Sequence, residues 1–382
     1  MVRAVGIDPG TYSMDIYGFD DKTGETIIDT SILREEITKN PELVLRELEK
    51  LKDVDIVVGP SGYGVPLRES KDITDIDIAY ATFITEKDYE RRLRIVGLRK
   101  LMKILKNSNL KVYYCPGVIH LKTVPKYRKL NKIDMGTADK IFSVVAAMRD
   151  EYERGVKPRD ISIIVVEIGF AYNAVIAVQN GEIVDGIGGT YSTISYLGMG
   201  AMDSEVAYAI ANVVDDFSKI LLFKGGVAYL VFEDPFKHTV EEFIERVKVS
   251  ENGKIAYEAF IEGILKDIAR ILVSVDKVDR IYLSGRFIRV EEFRKDLEYR
   301  IRKMLNKFNI RCEICTISRR AKNAKEAAEG AAIIGNGLAG GKYSELIETL
   351  KLNESSGTIF DYLIIDSDIK SRILEKFAKV PI

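Results

Sequence analysis

The chain has 382 residues, 57 Lys plus Arg against 58 Asp plus Glu, a formal net charge of −1 and 46% hydrophobic residues. That length suits two domains, each with its own core, and the charge balance excludes nucleic acid or an anionic membrane held by bulk charge. Three cysteines and two histidines exclude a disulfide framework, a His-rich metal site and a Ser-His-Asp triad. No apolar run approaches the roughly 18 residues of a membrane helix, and Asp8 interrupts the first apolar run too early for a signal peptide, so a cytoplasmic location is expected.

In chain order, "VRAVGID" (2–8) reads as a buried strand. "MDIYGFD" (14–20) and "TGETIIDTSIL" (23–33) read as two more, joined at the turn "DDKTG". The amphipathic stretch 40–53 with its Asn-Pro start predicts a helix. A buried strand at 54–60 runs into the glycine loop "GPSGYGVPLRE" (59–69). A long helix is expected over 88–107, a strand over 110–121 and, after a polar connection, a helix over 138–155. Residues 160–190 predict three strands with a hairpin turn at "QNG". Helices over 203–222 and 256–275 follow, then a strand at 278–285, a helix at 290–308 and a strand at 310–317. The last of these holds Cys312 and Cys315, whose spacing reads as strand alternation rather than a metal pair. An Ala- and Gly-rich helix is expected over 323–341. Beyond it come one or two helices and a strand at 358–366.

The opening pattern recurs. "AVGIDPGTYSMDIYGFDDKTGETIID" (4–29) and "VVEIGFAYNAVIAVQNGEIVD" (165–185) both read strand, acid-x-Gly, turn, strand, Gly turn, strand. Two domains of one kind would place an acid-x-Gly turn on either side of a single cleft.

In the first copy, Gly10 lets backbone amides converge on an oxyanion, and Thr11 and Ser13 add hydroxyls. Asp8 adds a charge suited to a metal or a catalytic water; a plain β-turn explains the same residues. In the second copy Glu167 and Gly169 stand at matching offsets, while Phe170 and Ala171 replace the hydroxyl residues. Ser284 and Gly285 end a strand where a base could approach the backbone, or form an ordinary strand–helix loop. Asp139 lies in the first turn of a helix. There it is either a dipole-stabilised acid or a general base that takes a proton from an acceptor. Ser61, Tyr63, Arg68 and Arg128 are substrate candidates, with a mobile loop and solvated surface charges as the other reading. "AAEGAAIIG" (327–335) offers a face on which another element can pack closely.

These pieces, in this order, resemble the actin-like ATPase superfamily of acetate and sugar kinases, Hsp70 and actin. The likeness spans nearly the whole chain, and within the superfamily it points to an archaeal group related to butyrate kinase. The resemblance implies α/β architecture: two ribonuclease-H-like domains, a duplicated βββαβαβα, facing each other across a nucleotide cleft. The expected domains are 1–138 and 139–341, with a helical extension at 342–382. The implied cofactors are ATP and Mg²⁺. Asp8 and Glu167 would hold the metal, Gly10, Thr11, Ser13, Glu167 and Gly169 the phosphates, and Ser284 and Gly285 the adenosine. Asp139 and Asp8 would be catalytic. The expected activity is a small-molecule kinase with a carboxyl or alcohol acceptor, a short-chain carboxylate first. A sugar or polyol kinase, and a nucleotide-binding ATPase or regulator without small-molecule phosphorylation, are the alternatives. The expected partner is the acceptor itself, with no nucleic acid and no membrane; a homodimer stays open.

Overall fold

Arg3–Asp8 (β1) and Ser13–Asp20 (β2) form a hairpin in which every residue but Arg3 is buried. This is why the opening of the sequence reads as apolar runs rather than as alternation. The structure, a computed structural model, describes residues 1–382. Thr26–Leu33 (β3) completes a meander. The chain continues through α1 (Arg34–Lys39), α2 (Glu42–Glu49), β4 (Ile56–Gly59), β5 (Arg68–Glu69), α3 (Asp75–Thr82), α4 (Glu86–Glu90), α5 (Arg94–Lys106), β6 (Val112–Tyr114), α6 (Lys126–Lys129) and α7 (Ala138–Glu153). The first sheet has the order β3-β2-β1-β4-β6-β5. β1 pairs antiparallel with β2 and parallel with β4, and β4 pairs parallel with β6.

The pattern then repeats with β7 (Ile163–Ile168), β8 (Asn173–Gln179) and β9 (Glu182–Ile187). Helices α8 (Ser204–Val213), α9 (Val240–Val249) and α10 (Glu251–Leu272) lead to β10 (Arg280–Ser284), α11 (Glu291–Lys307) and β11 (Glu313–Thr316). The second sheet has the order β11-β10-β7-β8-β9. Counted from its own first strand, each sheet runs third, second, first, then two parallel strands (β4 and β6, or β10 and β11), with the short β5 added at the edge of the first sheet, so the duplication expected from the sequence is present in the topology. Helices α12 (Glu326–Leu338), α13 (Ser344–Thr349) and α14 (Ser367–Ala378) close the chain.

Two units result: residues 1–161, 178–185 and 317–382 form one, and 162–177 with 186–316 the other. Residues 139–161, 178–185 and 317–341, which the sequence reading places in a second domain, therefore group with the first. The reason is α12. Its small residues let backbones touch: a Cβ on Gly6 of β1 would overlap Ala328 and Ala332, and one on Gly330 would overlap the Phe142 carbonyl of α7. The 342–382 extension belongs to the same unit, where Phe377 lies 4.4 Å from Phe83, ring centre to ring centre. The second unit has an aromatic core of Tyr196, Phe243, Phe260, Phe287 and Phe293, with neighbouring ring centroids 5.0 to 6.2 Å apart.

Some expected elements end early, for local reasons. The helix expected over 88–107 is two helices, because Arg92 adopts φ 54°. Asp88 is spent there in a capping box with Thr85. The strand expected over 110–121 stops at Tyr114, before Pro116, and Val118–His120 forms a single 3-10 turn. The helix expected over 203–222 ends at Val213, where Val214 turns extended. No strand forms at 358–366, where Asp361 accepts from the Thr358 amide at 3.0 Å and its hydroxyl at 2.7 Å.

Candidate active site

The end of β1 places Asp8 opposite Asp15 of β2, and both are 1% exposed. Two buried carboxylates side by side need a cation, and Lys325 supplies it. Its ammonium is ion-paired with Asp8 and lies 3.8 Å from Asp15. The lysine is delivered by α12, which runs antiparallel to β1: Gly335 faces Ala4, Ala328 faces Gly6, and Lys325 meets Asp8. Asp15 also accepts from the Lys325 backbone amide at 3.1 Å and from the Ser31 hydroxyl at 2.5 Å. Gly10 sits over the ammonium, and a Cβ there would overlap Nζ. Ser13 is buried at the start of β2, and the half-buried Thr11 accepts from Arg94 Nη1 at 3.3 Å through its carbonyl. Burial first, then the neighbouring Asp139 and Asp15, push the Asp8 carboxyl up to about 7 against the pull of Lys325.

Asp139 comes to this place from the first turn of α7. Lys140 Nζ lies 2.9 Å from one carboxylate oxygen, and the Thr137 hydroxyl donates to the other. Burial works to raise this acid, but Lys140, Thr137 and Lys325 outweigh it and hold Asp139 below the ordinary carboxylate range. The glycine loop after β4 packs on the same helix start: the Ala138 amide donates to the Gly62 carbonyl at 3.1 Å. Asp8, Gly10 and Asp139 are thus gathered around Lys325, with the Ser13 backbone beside Gly10.

The four substrate candidates fall into different roles. Ser61 is fully buried and donates to the Cys115 carbonyl at 2.9 Å. Tyr63 stands edge-on to Phe83, with centroids 5.9 Å apart, and burial, assisted by Asp134, raises its hydroxyl. Arg68 is exposed, 3.8 Å from Asp77. Arg128 donates to the Val184 carbonyl at 2.8 Å and lies 4.0 Å from Asp185.

In the second unit, Glu167 of β7 is in register with Ser284 of β10. Gly285 follows at φ 98°, where a Cβ would overlap the Ile168 carbonyl, so this corner requires glycine. Gly169 donates to the Tyr172 carbonyl at 3.0 Å and closes the β7–β8 turn. Arg286 reaches over the Phe170 ring, 5.9 Å from its centroid. Glu167, Gly169, Ser284 and Gly285 therefore share one strand-end corner.

Sequence reasoning missed Lys325 and Arg34. Arg34 is 4% exposed, its Nη1 has no hydrogen-bond partner, and Asp8 is the charge that favours its ionised form. Burial nonetheless lowers its pKa to about 10. Neither residue carries a motif signal; each reaches the site only through packing.

A divalent ion seated directly on Asp8 does not fit these residues, because the Lys325 ammonium already faces that carboxylate. Glu167, the other expected metal ligand, belongs to the other unit. No group of three or more His, Cys, Asp or Glu side chains is arranged to hold a metal ion.

Residues 6–365 match the model of a single family, described as "Protein of unknown function (DUF1464)". The chain belongs to the DUF1464 family. No curated protein matches it. Among solved structures, this DUF1464 chain is similar to a propionate kinase from Francisella tularensis and an acetate kinase from Porphyromonas gingivalis. The first has 14% identity and a TM-score of 0.58, covering 87% of this chain and 98% of that one. The second has 15% identity and a TM-score of 0.58, with the same coverage of 87% and 98%. An acetate kinase from Entamoeba histolytica has 12% identity and a TM-score of 0.55, covering 83% of this chain and 96% of that one. At such identities the likeness establishes the fold: the two-domain actin-like architecture expected from the sequence. No helix of the DUF1464 chain is long and apolar enough to cross a membrane.

Proposed function

We propose that this DUF1464 protein is an ATP-dependent phosphotransferase acting on a small acceptor, with a short-chain carboxylate such as butyrate as the first choice. The observation that carries the reading is the gathering of Asp8, Gly10 and Asp139 around one lysine in a fold shared with acetate and propionate kinases. The amides and hydroxyls of the 10–13 turn would hold the terminal phosphates. Glu167, Gly169, Ser284 and Gly285 are the nucleotide contacts proposed for the second unit. Tyr63, on the loop that packs against the start of α7, and Arg68, at the start of β5, are the proposed acceptor contacts.

In the reaction, an acceptor oxygen forms a bond to the γ-phosphorus while the bond to the β,γ-bridging oxygen breaks and ADP leaves. A carboxylate acceptor has no proton to lose, so Asp139 would only orient it. A hydroxyl acceptor must lose one, and Asp139, ionised at neutral pH, would take it. Melting with and without excess Mg-ATP tests the binding step: saturation at about 100 times Kd adds roughly 2.7 kcal/mol. ADP release is then measured against acetate, propionate, butyrate and a polyol panel. Asp139→Asn should lower turnover about 10²-fold or more if the acceptor is an alcohol, and far less if it is a carboxylate. A nucleotide-induced melting shift with no acceptor-dependent ADP would replace the enzyme by a nucleotide-binding regulator.

A further inference from the structure

The loop that carries Lys325 is fastened with unusual care. Asp29 accepts from the backbone amides of Lys322 at 2.6 Å, Asn323 at 3.1 Å and Ala324 at 2.8 Å, and Asp15 accepts from that of Lys325 at 3.1 Å. Two carboxylates from the β2–β3 hairpin thereby fix four consecutive residues. The side chain so positioned is only 22% exposed, points at Asp8, and is matched by a glycine at position 10 that leaves room for its ammonium. The acids nearby are balanced by cations: Lys140 lies 2.9 Å from Asp139, and the buried Arg34 stands near Asp8. A divalent ion on Asp8 would have to displace the ammonium of a residue whose own amide is held by Asp15 and whose three predecessors are held by Asp29.

We infer that Lys325 is the resident cation of the phosphate loop: it fills the place of a metal on Asp8 and gives its charge to the terminal phosphate of the bound nucleotide. Asp8 is then a positioning residue for Lys325. Nucleotide binding does not require a metal ligated by this carboxylate, although a metal can still arrive carried on the nucleotide. The nucleotide half of this inference rests on the phosphotransferase reading; the cation half stands alone.

The test uses the full chain. First, Mn²⁺ binding is followed by electron paramagnetic resonance without nucleotide, on the wild type, Lys325→Met, Asp8→Asn and the double variant. The expectation is no Asp8-dependent Mn²⁺ site in the wild type, a gain of at least tenfold in affinity in Lys325→Met, and loss of that gain in the double variant. A wild-type Mn²⁺ site abolished by Asp8→Asn overturns the inference, and so does a folded Lys325→Met with no gain. If Lys325→Met does not fold, wild type against Asp8→Asn still decides. Second, ATP binding is measured in EDTA and in Mg²⁺. Wild-type Kd should change less than about threefold, and Lys325→Met should lose at least tenfold in EDTA; wild-type binding abolished by EDTA overturns the nucleotide half. If ATP binds in neither condition, the phosphotransferase reading and the nucleotide half fall together, and the Mn²⁺ result still judges the lysine.

Discussion

His120 is 2% exposed, and its Nδ1 accepts from the Gly117 amide at 3.2 Å. Burial, with a smaller push from Lys129, lowers its pKa from 6.5 to about 4; the Gly117 carbonyl, 3.3 Å from Nδ1, and Asp361 favour the charged ring and offset part of this. Between those two values the unfolded chain binds the proton and the folded chain does not. Stability therefore falls as pH drops through this window, by about 3 kcal/mol in total for this group. His120→Asn keeps an acceptor for the Gly117 amide and does not titrate. Urea melts at pH 7 and pH 4.5 should show a smaller acid loss in the variant; equal losses would assign the acid sensitivity to other groups. Arg149 offers a second test. It is 1% exposed and sits 2.8 Å from Glu329 and 2.9 Å from Asp150. Arg149→Met strands both acids and should cost about 3–5 kcal/mol, while Arg149→Met with Glu329→Gln should recover part of it. At this scale the sequence was legible only where a motif marked the residue. Asp8, Gly10 and Asp139 could be singled out because turn and helix-start chemistry surrounds them. Lys325, Arg34 and Arg149 could not, since the packing that buries them joins distant segments: 310 residues separate Asp15 from the Lys325 amide, and 180 separate Arg149 from Glu329.

Among the elements, α12 decides most. Its small residues were readable as a face for close packing, and that is how it is used, with Gly330 against α7 and Ala328 and Ala332 against Gly6 of β1. In an isolated helix Gly→Ala stabilises by about 1 kcal/mol. Here Gly330→Ala drives a methyl into the Phe142 carbonyl and should instead destabilise by about 3 kcal/mol or more. Denaturant midpoints of the two proteins, at unchanged m-value, check the sign. The strands were legible because buried apolar runs bounded by glycine turns are hard to read otherwise. Element ends were less so. Arg92 and Val214 interrupt helices through backbone conformations that their side chains do not announce.

For the whole molecule, the repeat of acid-x-Gly hairpins foretold two sheets of one topology, and both are present. The partition into units was not foretold, because it follows from α12 returning to β1 after the second sheet is complete. The tail is tied to the same unit: Arg99 Nη1 donates to the carbonyls of Val380 at 3.0 Å and Pro381 at 2.7 Å. Deleting 367–382 removes both acceptors from a buried guanidinium, and also the Phe377 ring that packs on Phe83. Thermal unfolding should show a loss of about 3 kcal/mol or more, and an unchanged melting point would reduce the tail to a passenger.

The interleaving of the units also sets an order of events during synthesis. A ribosome releases β1 and β2 first, then all of residues 186–316, and only afterwards the helix that covers β1. The second unit can close while the first still waits. Asp15 emerges 310 residues ahead of the amide that satisfies it, so the opening hairpin spends most of translation as a half-built surface, open to any holdase that recognises bare apolar strands.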